Sequence, residues 1–265
     1  MGVVNITPDS FSDGGRYLDP EAAFAQAVKL VGEGADLLDL GAESTRPGAS
    51  PVTDREELNR LLPVLKRIRK EILAPISIDT ASPEVAKRSL EAGADIINDV
   101  SGLKRSGSDM AKIVKKSGAG LVLMHSRGTP ETMSSLVHYE DVVRDVMTEL
   151  RESIRIATDA GIDREQIVID PGLGFAKTTE QNLEIMKDLS AFHGLELPVM
   201  LGPSRKSFIG QVTGRETSER EFGTAACVAS AVMNGIQILR VHDVKAMRDV
   251  VRVTESIKRL SKSPS

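Results

Sequence analysis

Eight times along the chain a short apolar run ends in a polar or glycine-bearing tip. The runs are Gly2 to Asn5, Ala35 to Leu40, Pro75 to Asp79, Ile96 to Asn98, Gly120 to His125, Ile167 to Asp170, Pro198 to Gly202 and Ile238 to His242. Between successive runs lies a stretch long enough for one helix. Strands alternating with helices at this spacing predict an α/β chain whose eight parallel strands close into a (β/α)8 TIM barrel, ringed by outer helices. That fold places its active site at the carboxyl ends of the strands, so function is to be read from the tips.

The helices fix the frame. Leu58, Leu61, Leu62, Leu65, Ile68 and Ile72 recur at three-and-four spacing with Arg, Lys and Glu between them, which predicts an amphipathic second helix. Val142, Val143, Val146, Met147, Leu150 and Ile154 predict a fifth, and Val244, Met247, Val251 and Ile257 an eighth and last. Asp19-Pro20-Glu21 and Ser82-Pro83-Glu84 read as helix starts, each with a capping residue, proline at the first helical position and an acid in the first turn. One barrel domain over residues 1–260 is expected, with a frayed tail over 261–265.

The tips collect Asn5, Glu43 to Arg46, Asp79, Asn98, His125, Asp170, Lys206, Arg240 and His242. Polar groups buried at a barrel mouth cost free energy unless paired, so this many of them point to a ligand. Any one of them also serves as a turn or helix cap. A full set, in strand order, is poorly explained that way. In strand eight Arg240 and His242 lie two apart and share a face, with Leu239 and Val241 on the other. A guanidinium beside an imidazole suits an anion, and the guanidinium fork matches phosphate. Asp79, Asn98 and Asp170 offer acceptors from three strands and suit a ligand edge rich in N–H donors, such as a flat aminopyrimidinone. Metal binding is the rival reading of these three, but no ligand-spaced local motif accompanies them. His125 has no partner in sequence, and His138 and His193 read as surface residues.

Composition narrows the partners. A chain of 265 residues with formal charge −4 and no basic cluster is not built to bind nucleic acid. The single cysteine, Cys227, sits among small apolar residues and reads as a buried helix thiol in a reducing, cytoplasmic compartment. There is no apolar span of transmembrane length, and Met1 leads directly into the first strand, so neither membrane association nor a signal peptide is expected.

The loops carry a resemblance. The segment Asn5-Ile6-Thr7-Pro8-Asp9-Ser10-Phe11-Ser12-Asp13-Gly14-Gly15, then Glu43-Ser44-Thr45-Arg46-Pro47-Gly48, Ile78-Asp79-Thr80, Ile97-Asn98-Asp99-Val100, Asp170-Pro171-Gly172-Leu173-Gly174-Phe175, Ser204-Arg205-Lys206-Ser207-Phe208-Ile209-Gly210 and Arg240-Val241-His242-Asp243 together resemble the dihydropteroate synthases of folate biosynthesis. The likeness runs from Met1 to about Leu260 and takes in every strand tip in order. It departs at Ala42, where a glycine is common, at Ser126, where a methionine is commoner, and before the first strand, where the family carries a short hairpin and this sequence has only Met1.

The resemblance implies a transferase joining (7,8-dihydropterin-6-yl)methyl diphosphate to p-aminobenzoate, with Mg²⁺ as cofactor, in a homodimer. It implies that Asp79, Asn98, Asp170 and Lys206 hold the pterin ring. Asn5, Thr45, Arg240 and His242 would lie at the pyrophosphate, with Asn5 the protein ligand of the magnesium. Thr45, Arg46, Pro47, Phe175 and Ser207 would form the p-aminobenzoate wall. Catalytic roles fall to Lys206, Arg240, His242, Asp79 and Asp170. The glycine-rich loops Thr7 to Gly15 and Ser44 to Ser50 are expected to act as lids, the first carrying Phe11 and Asp13. Two other readings share the barrel: a methyltetrahydrofolate-dependent methyltransferase and a non-catalytic pterin-binding paralogue. The first two loops and Lys206 argue against the methyltransferase, and the intact set of matched chemical positions argues against the paralogue.

Overall fold

The computed structural model describes residues 1–6, 20–42 and 52–260. Within them the chain runs β1 (Gly2–Asn5), α1 (Pro20–Gly32), β2 (Leu38–Gly41), α2 (Asp54–Arg69), β3 (Ile76–Asp79), α3 (Pro83–Glu91), β4 (Ile96–Asp99), α4 (Gly107–Ser117), β5 (Gly120–Met124), α5 (Val142–Asp159), β6 (Ile167–Asp170), α6 (Thr179–Lys187), β7 (Met200–Leu201), α7 (Ser207–Thr213), α8 (Glu221–Met233), β8 (Ile238–Leu239) and α9 (Val244–Leu260). Strands β1 to β6 form one parallel ladder in chain order, and β7 pairs with β8. Two isolated bridges supply the remaining seams: Ile169 with Val199, and Gly2 with Val241. Hydrogen bonds from Ile169 N to Pro198 O (2.9 Å) and from Val3 N to Val241 O (3.1 Å) accompany them. The ring is closed, and the expected TIM barrel is the observed fold.

Period two along each strand explains the two layers. Leu38, Leu40, Ile76, Ile78, Ile97, Leu121, Leu123, Ile167 and Ile169 belong to the core packed between strands and helices. The interleaved Asp39, Ser77, Asp79, Asn98 and Asp170 are buried as well, on the opposite face. That face is the barrel interior, where the chemistry collects.

Several local expectations are met and several are corrected. Pro83 opens α3, and the Ser82 hydroxyl caps it by accepting from Val85 N at 3.3 Å. β7 and β8 are shorter than the apolar runs suggest; Pro198 and Pro203, which have no N–H to give a ladder, flank β7. Two helices, α7 and α8, lie between these strands, so the last helix is the ninth. In α9 Val244 and Met247 are buried as expected and Val251 packs half-buried against the core, but Thr254 takes the following inward position and Ile257 is 57% exposed. Cys227 on α8 is half-buried, and burial pushes its thiol up to about 11. His138 is exposed, whereas His193 is half-buried with its ring Nε2 at 2.7 Å from Asn234 O. No helix among the described residues is long and apolar enough to cross a membrane.

Candidate active site

The strand register builds an acceptor face. Gly41 lies beside Asp79, Asp79 beside Asn98, and Met124 beside Asp170. All three acceptor residues are buried. Asn98 donates from Nδ2 to Asp39 Oδ2 at 3.4 Å, and its own Oδ1 is buried without a partner among the described residues. A buried acceptor left unpaired is costly, so this oxygen suits an incoming donor. Asp170 Oδ1 accepts from Gly172 N at 2.7 Å, while burial pushes its carboxyl above the ordinary range.

Facing these acceptors are three cationic or imidazole side chains. Arg240 donates from Nε to Asp39 Oδ2 at 2.6 Å and from Nη2 to Asp79 Oδ2 at 2.9 Å. Burial opposes its charge, but the two carboxylates hold the guanidinium more firmly protonated than usual. Arg240 is therefore no free anion clamp; it already bridges the floor of the site. Asp39, fully buried on β2, is the functional residue that sequence reasoning missed. Its signal was present, since it stands between Leu38 and Leu40 in the same inward phase as Asp79 on the neighbouring strand.

His242 is held by Ser204. The His242 backbone N–H donates to Ser204 Oγ at 3.3 Å, and that oxygen lies 2.9 Å from His242 Nδ1. With the serine hydroxyl donating to Nδ1, the ring proton belongs on Nε2. Burial, aided by Arg240, pulls the imidazole down to about 4, so it is neutral near pH 7 and offers an N–H rather than a charge.

Lys206 precedes α7, with Nζ 4.4 Å from the Phe175 ring centroid. Burial lowers its ammonium to about 8, while Asp170 and Asp79 act to hold the charge. The preceding Arg205 has φ +59°, a left-handed conformation uncommon outside glycine. Asp243 secures it through a bidentate pair at 2.8 and 2.9 Å, Thr224 Oγ1 accepts from its backbone N at 3.1 Å, and Arg220 donates to its carbonyl at 3.1 Å.

The structure thus brings Asp79, Asn98, Asp170, Phe175, Lys206, Arg240 and His242 to one end of the barrel. Ser207 opens α7 and is exposed. Asn5 ends β1, half-buried, with its side chain in no hydrogen bond among the described residues. Thr45, Arg46, Pro47, Phe11, Asp13 and both expected lid loops lie outside the described residues. His125, at the β5 tip, is engaged elsewhere: its Nδ1 lies 2.9 Å from Lys177 Nζ and its Nε2 3.1 Å from Glu149 Oε2. No group of three or more metal-ligating side chains occurs among the described residues.

A closed (β/α)8 ring with acceptors on one arc of its mouth and cations on the facing arc defines a barrel enzyme for a flat, donor-rich substrate bearing an anionic group. The sequence model of pterin binding enzymes matches residues 1–242. Dihydropteroate synthase of Bacillus subtilis is 44% identical over 257 residues, covering 97% of this chain and 87% of its own. A Clostridium difficile dihydropteroate synthase solved in the presence of pteroic acid superposes with a TM-score of 0.91 at 40% identity, covering 97% of this chain and 95% of its own. The Xanthomonas albilineans enzyme with 4-aminobenzoic acid gives 0.91 at 43% identity, covering 99% and 93%. The chain belongs to the pterin binding enzymes and, within them, to the dihydropteroate synthases.

Proposed function

We propose that this synthase joins (7,8-dihydropterin-6-yl)methyl diphosphate to p-aminobenzoate, releasing pyrophosphate and 7,8-dihydropteroate. The observation that carries the reading is the acceptor face, above all the buried Asn98 Oδ1, which has no partner among the described residues and sits beside Asp79. Asp79, Asn98 and Asp170 accept from the N–H edge of the pterin, and Lys206 donates to its carbonyl and nitrogen side. Transfer breaks the bond between the pterin methylene and the diphosphate oxygen and forms one to the amine of p-aminobenzoate, which gives up one proton to the released pyrophosphate or to water. The site must stabilise a departing anion and an electron-poor methylene, both electrostatic tasks. Arg240 keeps Nε on Asp39 and offers its remaining N–H groups to the phosphate as the pterin claims Asp79. His242 donates from Nε2. Thr45 joins the pyrophosphate contacts, and Thr45, Arg46, Pro47, Phe175 and Ser207 line the p-aminobenzoate side.

Asn5, with an amide oxygen in no hydrogen bond among the described residues, fits a hard cation that takes few protein ligands and fills its shell with phosphate oxygens and water. Asn5 would hold Mg²⁺ there, and the ion would supply positive charge beside the departing diphosphate. We further infer one cytoplasmic domain over residues 1–260, and a homodimer through the exposed Val212 and Phe222 of the adjoining α7 and α8. The reading is tested by pyrophosphate release from the pterin diphosphate with and without p-aminobenzoate. Release that depends on p-aminobenzoate, with 7,8-dihydropteroate formed, is the expected result. Release without it, or none under either condition, refutes the reading.

A further inference from the structure

Outside the acceptor and cation arcs, one buried polar cluster has no part in the reaction as derived. Lys177, 9% exposed, donates to three acceptors: His125 Nδ1 at 2.9 Å, Gly172 O at 3.0 Å and Phe175 O at 3.0 Å. With Nδ1 accepting, the neutral His125 ring carries its proton on Nε2 and donates to Glu149 Oε2 at 3.1 Å. Glu149 also takes Arg127 at 2.8 Å through Nε, and it pairs with Lys104. Arg127 in turn lies 3.8 Å over the Tyr139 ring, and Tyr139 donates to Ala176 O at 3.0 Å. The network ties helix α5 and the β5 tip to both ends of the loop that follows β6.

That loop needs holding. Gly172 and Gly174 have positive φ, and so does Ala176 at +47°, where a side chain is disfavoured. A Cβ on Gly172 would stand 1.9 Å from His125 O, so the two strand ends touch backbone to backbone. The loop carries Phe175, whose ring meets Lys206. Asp170 itself is fixed independently, because its carbonyl accepts from His125 N at 2.8 Å.

We propose that Lys177 is a positioning residue for p-aminobenzoate: its buried ammonium clamps the Gly172 and Phe175 carbonyls so that Phe175 is held as a preformed wall of that pocket. Burial draws this ammonium down to about 7, while Asp170 and Glu149 act to hold its charge. A methylene chain without the ammonium fills the same space but leaves the Phe175 carbonyl and an imidazole nitrogen unpaired and the Gly172 carbonyl with only the Phe175 N–H at 3.2 Å, and the loop must open to water to satisfy them. Phe175 then has to be ordered by the incoming substrate, which weakens binding without altering the chemistry of the bound complex.

The inference rests on the proposed reaction, and its test separates the two. Full-length wild type, Lys177→Met and Lys177→Arg are compared by initial rates with each substrate varied and by calorimetry of the pterin diphosphate. In Lys177→Met the KM for p-aminobenzoate is expected to rise at least tenfold, with kcat and pterin diphosphate affinity changed less than threefold. Lys177→Arg, which keeps the charge and the donors, should recover at least half of that loss on a logarithmic scale. An unchanged KM for p-aminobenzoate in folded Lys177→Met, or equal losses in kcat and in affinity for both substrates, overturns the proposal. If Lys177→Met does not fold, Tyr139→Phe decides, since it removes only the bond to Ala176 O. A threefold or greater rise in the same KM supports the clamp, and a smaller one overturns it. Wild type without p-aminobenzoate-dependent turnover refutes the reaction instead.

Discussion

The two arcs of the barrel mouth are held by different means. Asp79 and Asn98 lie at the tips of strands paired on both sides in the continuous β1–β6 ladder, and Asp170 ends its last strand, paired with β5 and bridged at Ile169 to Val199, so backbone pairing sets where each side chain starts. Lys206, Arg240 and His242 follow two-residue strands, and side chains secure them: Arg205 and Asp243 beneath Lys206, Asp39 under Arg240, Ser204 against His242. A ladder gives a rigid template for a ring whose shape does not change in the reaction. Side-chain pairs let a cation exchange partners as charge moves to the leaving group. Pterin recognition is therefore expected mainly from the first arc, with Lys206 reaching the ring from the second, and stabilisation of the leaving group mainly from Arg240 and His242.

The largest effect should come from breaking the transfer arc at its centre. Arg240→Ala is expected to lower turnover at least 100-fold, and it also removes the cation that Asp39 and Asp79 share. Removing one partner of a buried ion pair typically costs about 3–5 kcal/mol, so the melting temperature should fall too. Near-normal rates in a folded variant would deny Arg240 its role. Next is the recognition arc: Asp170→Asn turns an acceptor into a donor facing donors, and at about 1–3 kcal/mol for an unpaired buried group, calorimetry should show pterin affinity weakened roughly 10- to 100-fold. Equal damage to p-aminobenzoate binding in a complex preloaded with pterin would erase the distinction between the arcs.

A smaller effect probes indirect support. Asp243→Asn weakens the hold on Arg205, and we expect pterin affinity to fall several-fold through Lys206. A loss confined to kcat would take Lys206 off the pterin and leave it to the departing diphosphate alone. Smallest is a pH effect on stability. His242 and His125 are lowered by burial to about 4 and about 3, so the unfolded chain takes up their protons first as the pH drops. Their contribution is complete above about 6.5 and is lost as the pH falls toward 4 and then 3. Thermal melts should show a decline in that window that is shallower in His242→Asn; parallel curves would mean that His242 protonates equally in both states.

The two arcs were also unequally legible in the sequence. The apolar runs located Asp79, Asn98 and Asp170 at strand tips, because a strand is a local pattern repeated. Period two put Arg240 and His242 on one face, but it could not say that Arg240 spends its donors on Asp39, 201 positions away. Lys177 gave no sign either, since a lysine in a polar loop ordinarily points to water. Its burial follows from the close approach of Gly172 to His125, which only the assembled ring creates. The helices were read well where an apolar stripe persists and misread at Ile257, where a threonine takes over the inward phase.

The single bridge between Gly2 and Val241 has a further consequence, in the order of assembly. Each seam within β1–β6 closes one strand–helix–strand segment, whereas this one joins the two ends of the chain. The entropy of closing so long a loop grows only logarithmically with its length, but it has to be overcome before the new contact returns anything. The last seam should thus form after the six-stranded ladder. Pulse-labelling hydrogen exchange during refolding would then find the Val3 and Val241 amides protected later than those of β3 to β5, and the transfer arc of the mouth would be the part of the enzyme completed last.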